Sequence, residues 1–452
     1  MERTLIKDLK TCVGSEVSIN AMVNVARHQG KMAFFDFRDR SGVVQGVVFG
    51  KPEVLEVAKA IGQEYAVAVT GTVNERPEKM VNTKVQNGDI ELEITNVEVL
   101  NASAPMPFDL DGELSLETIL DNRPLTLRTQ RARDIFSVSA TIVQAYRDTL
   151  IANDFTEFQA PALVGSDAEG GAEVFKVEYF KDRTANLATS PQLYKEIMTG
   201  AFERVFTIAK IFRAEKSATT RHLSEITQMD FEMAFINDHT DVMDMLEKVT
   251  RASTEAVIKK HEGVFERFGC ERPALPEGKY PTFTLLEAQE IIEREFGGTA
   301  VGEKDMEPEH ERQICEYAKR EYGSDFVFIT HFPTAKRAFY TYPDPTNPEL
   351  SRSFDLLFRG LEINSGSQRY HDHDELVEVI KKRGMDPKSF DFYLMLHKYG
   401  VPPHGGSSTG LERFTARMLE LPNVKEAAPF PRDINRIDVL LSSAETEKTV
   451  TE

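Results

Sequence analysis

Between Glu16 and Leu100 apolar residues recur at every second position in short runs. Glu16–Val25 alternates through Val17, Ile19, Ala21 and Val23. Met32–Arg38 resumes after a turn at Gly30, and Val43–Phe49 follows Ser41-Gly42. A period of two marks strands with one buried face. Pro52–Ile61 interrupts the pattern with helical spacing, and Tyr65–Val73 and Ile90–Leu100 restore it. Five strands with a helix after the third predict a small closed Greek-key barrel. The Pro-containing stretch 101–115 reads as a linker. From Ala132 to about Ala152 the apolar spacing is helical. Strand runs then appear at 204–212, 226–236, 326–331 and 354–363, and Gly410–Leu419 reads as a helix. Strands that neighbour one another without regular βαβ alternation predict an antiparallel sheet flanked by helices, so the fold class is α+β. The expected domains are a barrel over 1–103, a linker or hinge over 104–131, and a large domain over 132–452.

Composition narrows the picture. At 452 residues the chain is too long for one ordinary domain, and 41% hydrophobic with 28% charged residues describes a globular protein with a sizeable core. No stretch approaches the ~18 apolar residues of a membrane span, and the start has no apolar signal region. Cys12, Cys270 and Cys315 are too scattered for a metal knuckle, and reduced thiols fit a cytoplasmic location. The net charge of −19 argues against binding nucleic acid over the whole surface. Residues 1–104 carry 12 Lys and Arg against 14 Asp and Glu, so most of the acidity lies downstream. The barrel is therefore the better place for a phosphate backbone.

Candidate chemistry centres on three arginines. Arg213 lies in Phe212-Arg213-Ala214-Glu215, followed by Arg221-His222. Arg369 ends the run from Gly360 to Gln368, and Arg413 sits in Gly410-Leu411-Glu412-Arg413 at the mouth of an apolar helix. A guanidinium forks onto phosphate or carboxylate and keeps its charge at physiological pH. Asp355 and Glu362 stand seven residues apart. On an uninterrupted strand that odd spacing puts them on opposite faces, whereas a turn at Arg359-Gly360 lets both converge. Oxygen ligands of this kind suit Mg²⁺ beside a polyphosphate.

These segments resemble the class II aminoacyl-tRNA synthetases, and among them the aspartyl enzymes of the compact archaeal-type branch. Phe155–Pro161 is similar to motif 1, the run from Phe212 to Glu232 to motif 2, and Gly410–Leu419 to motif 3. Ser190-Pro191-Gln192-Leu193-Tyr194-Lys195 and Phe430-Pro431-Arg432-Asp433 carry the aspartyl flavour. The resemblance spans nearly the whole chain. It implies an oligonucleotide-binding barrel for the anticodon and a homodimer joined through motif 1. The implied reaction activates L-aspartate with ATP and Mg²⁺, then transfers it to tRNA(Asp).

By the same resemblance, Arg213 grips the α-phosphate and Arg221 the outer phosphates, with His222 as a phosphate contact. Arg413 lies over the adenine and reaches the γ-phosphate, and Glu215 accepts from the adenine amino group. Asp355, Glu362 and Ser365 are the metal candidates. Lys195 and Arg369 clamp the aspartate side chain, while Glu169, Ser190, Gln192 and Asp230 surround its ammonium and Ser365 lies near. In the barrel, Phe34 and Gln45 match anticodon contacts, with Phe35 turned inward and Arg27 reaching a phosphate or base.

Some residues depart from the family pattern. Ser407-Ser408-Thr409 replaces an aromatic-Gly-Leu run, and Ile226 stands where many members have an adenine-stacking aromatic. The chain has no tryptophan, including in Ala21–Asn24, where strictly tRNA(Asp)-specific archaeal relatives carry one. Relaxed tRNA choice, with tRNA(Asn) also charged, is the resulting expectation. The rivals are an asparaginyl enzyme, an asparagine synthetase-like paralogue lacking the barrel, and a non-catalytic tRNA-binding module.

Overall fold

A computed structural model describes residues 2–83, 85–165, 174–216 and 219–441. The chain divides into two compact units, one ending at Gly112 and the other beginning at Glu113. The segment expected to link them, 104–131, is not all linker. Helices α2 (Leu116–Asp121) and α3 (Arg123–Thr126) are folded into the second unit. There Arg123 donates to the carbonyls of Ala428 (2.8 Å) and Glu426 (3.3 Å), and Asp121 pairs with Arg436.

The first unit is a closed barrel of β1 (Glu16–Gln29), β2 (Met32–Arg38), β3 (Val43–Phe49), β4 (Ala66–Glu75) and β5 (Ile90–Asn101), in the order β1-β2-β3-β5-β4. Helix α1 (Pro52–Lys59) follows the third strand, as expected. Val17, Ile19, Ala21 and Val23 point inward from β1 and meet Val67, Val69 and Val73 of β4 in one apolar core. Closure leaves no free sheet edge.

In the second unit α4 (Gln130–Ile151) leads into an eight-stranded sheet, ordered β12-β13-β14-β15-β16-β11-β10-β6. Its strands are β6 (Thr156–Glu157), β10 (Arg204–Phe212), β11 (Glu225–Ala234), β12 (Thr282–Thr284), β13 (Phe326–Thr330), β14 (Ser353–Phe358), β15 (Leu361–Gln368) and β16 (His404–Gly410). A small separate sheet holds β7 (Leu163–Val164), β8 (Lys176–Tyr179) and β9 (Arg183–Leu187). The antiparallel expectation holds for the six central strands and fails at both edges. There β12–β13 and β10–β6 run parallel, and the sheet is mixed. The cause at one edge is a helical crossover: α8 (Leu285–Phe296) and α9 (Pro308–Tyr322) return the chain in its original direction before β13.

Helix α6 (His239–Lys260) packs with α4 on one face, over the aromatic side chains Phe231, Phe328 and Phe354, and α7 (Val264–Phe268) joins that core. Three further helices complete the unit: α5 (Gln192–Phe202), α10 (His373–Lys382) and α11 (Asp391–Lys398). Motif 3 closes with α12 (Leu411–Met418).

The run 354–363 is a hairpin rather than one strand. Phe358 pairs with Leu361, so Arg359 (φ 49°) and Gly360 (φ 78°) form a two-residue turn with both residues left-handed. Arg359 is kept there by Asp325 (2.9 Å) and the Glu271 carbonyl (2.8 Å). A Cβ at Gly360 would stand 2.9 Å from Arg312 Cγ, so glycine also lets α9 approach.

Candidate active site

The central strands β15, β16 and β11 floor a cleft of about 740 Å³. Arg213, Arg221 and Arg413 all line it. Arg213 opens the loop after β10, and its backbone N–H donates to Ser224 O (2.9 Å) across that loop. Arg221 Nη2 donates to Glu311 Oε2 (2.8 Å) and Gly360 O (3.3 Å). Arg413 Nη1 donates to Glu362 O (3.0 Å) and lies 3.4 Å from Glu362 Oε2. His222 Nδ1 meets Thr219 Oγ1 at 2.7 Å, and Nε2 is 3.8 Å from Glu215. Burial lowers the pKa of His222. Glu215 opposes that, and Arg413, Arg221 and Arg213 each add to it. One imidazole therefore feels all three guanidiniums, so motifs 2 and 3 face the same space.

The carboxylate pair is brought together by the hairpin and a bulge. Asp355 lies opposite Ser365 across β14–β15, and the register slips between Leu356 and Leu357. Ile363 then packs into the core with Leu356, while Glu362 and Ser365 line the cleft. Asp355 Oδ2 accepts from Arg337 Nη2 (2.7 Å), and its buried Oδ1 has no hydrogen-bond partner. Glu362 is pushed up to about 7, by burial first and then by the charge of Asp355; Arg413 and Arg337 oppose this and Glu311 adds to it. About 36% of the Glu362 side chain stays open to the cleft, where solvent screens part of that repulsion. A buried carboxylate oxygen without a partner, beside a carboxyl that resists ionisation, fits a divalent cation.

The other end of the cleft is deeply buried. Along α5, Gln192, Lys195, Glu196 and Thr199 form a polar stripe at helical spacing, each 4% exposed or less. Alternation along β11 sends Asp230 and Glu232 toward them and Met229 and Phe231 into the core. Lys195 Nζ donates to Asp230 Oδ2 (2.9 Å) and Ser407 O (3.3 Å), and stands 3.3 Å from Glu232 Oε2. Arg369 donates to both oxygens of Glu232 (2.9 and 3.3 Å), to Gly406 O (2.9 Å) and to Gln192 Oε1 (3.3 Å). Its guanidinium also lies 5.3 Å from the Tyr340 ring centre. A Cβ at Gly406 would fall 2.2 Å from Glu232 Oε2, so only glycine fits beside this pair.

Arg369, Gln192 and Ser190 line the cleft, with Ser190 Oγ accepting from the Gln192 N–H (3.2 Å). Lys195 and Asp230 lie just behind it, in contact with each other. Asp230 is fully buried and off the cleft wall, with Lys195 on one of its oxygens and Ser408 Oγ (2.7 Å) on the other. Glu169 lies outside the described residues. Ser408 thereby gains a place in the site, and Asn364 Nδ2 binds Ser407 Oγ (3.1 Å) and Thr409 Oγ1 (2.7 Å). The unusual Ser-Ser-Thr run is thus a hydrogen-bonded polar strand. Ile226 lines the cleft wall.

Several neighbours were not foreseen. Glu232 was within reach, because it stands two residues from Asp230 on the same strand face. Arg337 carried no such signal. It leaves a short 3₁₀ turn, stacks 3.8 Å over the Phe332 ring and joins Asp355 only in the folded chain.

In the barrel, Phe34 pairs across strands with Arg27 and Val47, and Asp36 pairs with Gln45. Arg27, Phe34 and Gln45 consequently share the outer face, with Arg27 Nη2 3.3 Å from Asp36. Phe35 is fully buried and stacks on Phe37 at 5.5 Å.

A closed barrel in one unit, and in the other a mainly antiparallel sheet carrying convergent motif 2 and motif 3 arginines, define the class II synthetase architecture. The chain belongs to the class II tRNA synthetases (D, K and N), whose family model matches residues 115–434; an OB-fold nucleic acid binding domain model matches 17–100. It is 42% identical over 439 residues to the aspartate–tRNA(Asp/Asn) ligase of Thermus thermophilus, covering 96% of this chain and 99% of that one. It is 37% identical to the aspartate–tRNA(Asp) ligase of Thermococcus kodakarensis, with 94% and 96% covered. Among solved structures it is similar to the asparaginyl-tRNA synthetase of Pyrococcus horikoshii complexed with asparaginyl-adenylate, at TM-score 0.87 and 32% identity, covering 97% of this chain and 99% of that one. Among the described residues no helix is long and apolar enough to cross a membrane.

Proposed function

We propose that this protein is an aspartate–tRNA ligase, which joins L-aspartate to ATP as aspartyl-adenylate and transfers it to the 3′ end of tRNA(Asp) and of tRNA(Asn). The observation that carries the reading is Arg369 in the wall of an arginine-lined cleft, with Lys195 buried behind it and both held on Glu232. A fixed guanidinium in the cleft wall forks onto a side-chain carboxylate and so favours it over the neutral amide.

Two anions must meet in the first step, so the work is positioning and charge neutralisation. Arg213 and Arg221 hold the phosphates from the motif 2 loop, and Arg413 covers the nucleotide from the N-terminal turn of α12. Glu215 and His222 border the same space, with Glu215 accepting from the adenine amino group. Asp355 and Glu362, with Ser365 beside them, would hold Mg²⁺, which supplies charge neutralisation on the phosphates. No general base is required, because the attacking carboxylate is already ionised. In the second step the adenylate phosphate takes the proton of the ribose hydroxyl. Ser190 and Gln192 border the substrate ammonium, which Glu169 binds. Phe34, Gln45 and Arg27 contact the anticodon. The enzyme acts as a homodimer in the cytoplasm.

Pyrophosphate exchange with aspartate or asparagine, followed by charging of purified tRNA(Asp) and tRNA(Asn), tests the reading. Exchange driven by aspartate and charging of both tRNAs are expected. Exchange driven by asparagine alone establishes the asparaginyl rival, and failure on tRNA(Asn) ends the dual-charging reading.

A further inference from the structure

Arg337 touches the place assigned to the metal. Its Nη2 donates to Asp355 Oδ2 (2.7 Å) and its Nη1 to Ser365 Oγ (3.3 Å), so one fork holds two of the three candidate ligands. Its charge also acts on the third, Glu362. The fork is held in place by its own surroundings. It lies 3.8 Å over the Phe332 ring, and its backbone leaves the 3₁₀ turn Thr334–Lys336. Arg383, which follows the last residue of α10, ties that turn down by donating to Arg337 O (2.6 Å) and Thr334 O (2.9 Å). The Arg337 side chain is mostly buried and still lines the cleft.

Charge is balanced around this place. Glu362 feels both Asp355 and Glu311, and each of the three meets a guanidinium. Asp355 meets Arg337 at 2.7 Å, Glu362 meets Arg413 at 3.4 Å, and Glu311 meets Arg221 at 2.8 Å. A divalent cation arriving alone is drawn by these carboxylates and repelled by the guanidiniums paired with them. Oδ1 of Asp355 has no hydrogen-bond partner, so what opposes a cation at that oxygen is the adjacent charge of Arg337. Mg²⁺ parts with its water reluctantly and is held mostly by one or two carboxylates together with substrate phosphates. A polyphosphate tips the balance: it adds negative charge for the cation and offers the guanidiniums a well-matched partner.

We propose that Arg337 is a positioning residue that keeps the metal's place, its guanidinium bridging Asp355 and Ser365 so that a divalent cation enters with the nucleotide and not ahead of it. The inference rests on the metal reading of Asp355, Glu362 and Ser365 above. Without the charge of Arg337, Asp355 and Glu362 are left with negative charge in excess and bind a divalent cation unaided. When pyrophosphate leaves, the guanidinium takes up Asp355 and Ser365 again, and the cation is released with the product.

The test titrates the nucleotide-free full-length chain with Mn²⁺, a stand-in for Mg²⁺ whose free ion is read by electron paramagnetic resonance. The wild type binds the ion weakly, needing high concentration. Arg337→Met keeps the length of the side chain and loses its charge, and it binds one ion at least about tenfold more tightly. Asp355→Asn in that background removes the gain, and Arg337→Lys, which retains the charge, binds as weakly as the wild type. An Arg337→Met affinity no better than wild type overturns the proposal, because a residue that only props the fold does not restrain metal binding. Tight, Asp355-dependent binding in the nucleotide-free wild type overturns it as well. Should Arg337→Met fail to fold, Arg337→Gln, a neutral side chain that keeps an N–H donor, decides in its place by the same comparison. The metal reading is checked separately by equilibrium dialysis of ATP, which Mg²⁺ should tighten in the wild type and not in Asp355→Asn. If Mg²⁺ has no such effect, the metal reading falls and this inference with it; if it does and Arg337→Met gains nothing, only this inference falls.

Discussion

The two ends of the cleft use the same side chains in opposite ways. At the end proposed to hold the phosphates, Arg221 and Arg413 keep 23% and 27% of their side-chain surface exposed, and Glu362 keeps 36%. Their ion pairs border open cleft, and incoming phosphate can replace them. At the end proposed for the amino acid, Lys195, Asp230 and Glu232 are fully buried and Arg369 is 5% exposed. Every charge there is held by at least two partners. An exposed pair contributes little to stability and separates readily. A buried pair is costly to break, because the partner left behind is an unmatched charge. The phosphate end is therefore built to exchange partners, and the amino-acid end to hold one arrangement.

That contrast is broken or sharpened by mutation, beginning with the largest effect. Arg369→Ala leaves the buried Glu232 with Lys195 as its remaining ion-pair partner. It is expected to cost about 3–5 kcal/mol of stability in denaturant unfolding, and to lower aspartate-dependent exchange by roughly a thousandfold or more. Lost activity with unchanged stability would refute the claim that this end is a structural as well as a chemical unit. Arg413→Ala is expected to cut kcat/KM for ATP by about 10²–10³, while its unfolding free energy stays within about 1 kcal/mol of wild type. Marked destabilisation there would erase the distinction between the two ends.

Glu362 gives a smaller effect with a definite sign. Its folded pKa of about 7 lies above the ordinary carboxylate value, so the folded state holds the proton more tightly than the unfolded chain. Its contribution is intact below the unfolded value and is lost as pH rises through about 7. Metal-free protein should melt at falling temperature over that window, and added Mg²⁺ should restore the loss most at the upper end. Glu362→Gln should show neither trend; a wild-type pH profile in that variant counts against the carboxylate pair. Least of all for the cleft, Phe34→Ala should leave pyrophosphate exchange unchanged. It should weaken tRNA binding by about 1–3 kcal/mol, read as a higher KM for tRNA in aminoacylation.

Much of this was legible in the sequence because it depends on local spacing. Period-two alternation marked all five barrel strands, and the family resemblance turned Phe35 inward and Phe34 outward. Helical spacing marked α4, and the Arg359-Gly360 turn was readable as the device that lets Asp355 and Glu362 converge. What escaped depends on contacts across long separations. The parallel edge strands follow from where a helical crossover sets the chain down. The partners of Asp230 are a lysine 35 residues away and a serine 178 residues away. Arg337 reaches Asp355 from a turn that has no periodicity to read.

The order of residues along each strand and helix determined which side chains share a face, since backbone geometry alone fixes that periodicity. It therefore settled the barrel, the buried polar stripe on α5 and the alternation that turns Asp230 and Glu232 to one side. Only the tertiary structure decided which charges meet. The strength of a buried ion pair and the orientation of the Gln192 amide each depend on several elements converging in a water-poor space. No stretch of sequence carries that convergence by itself.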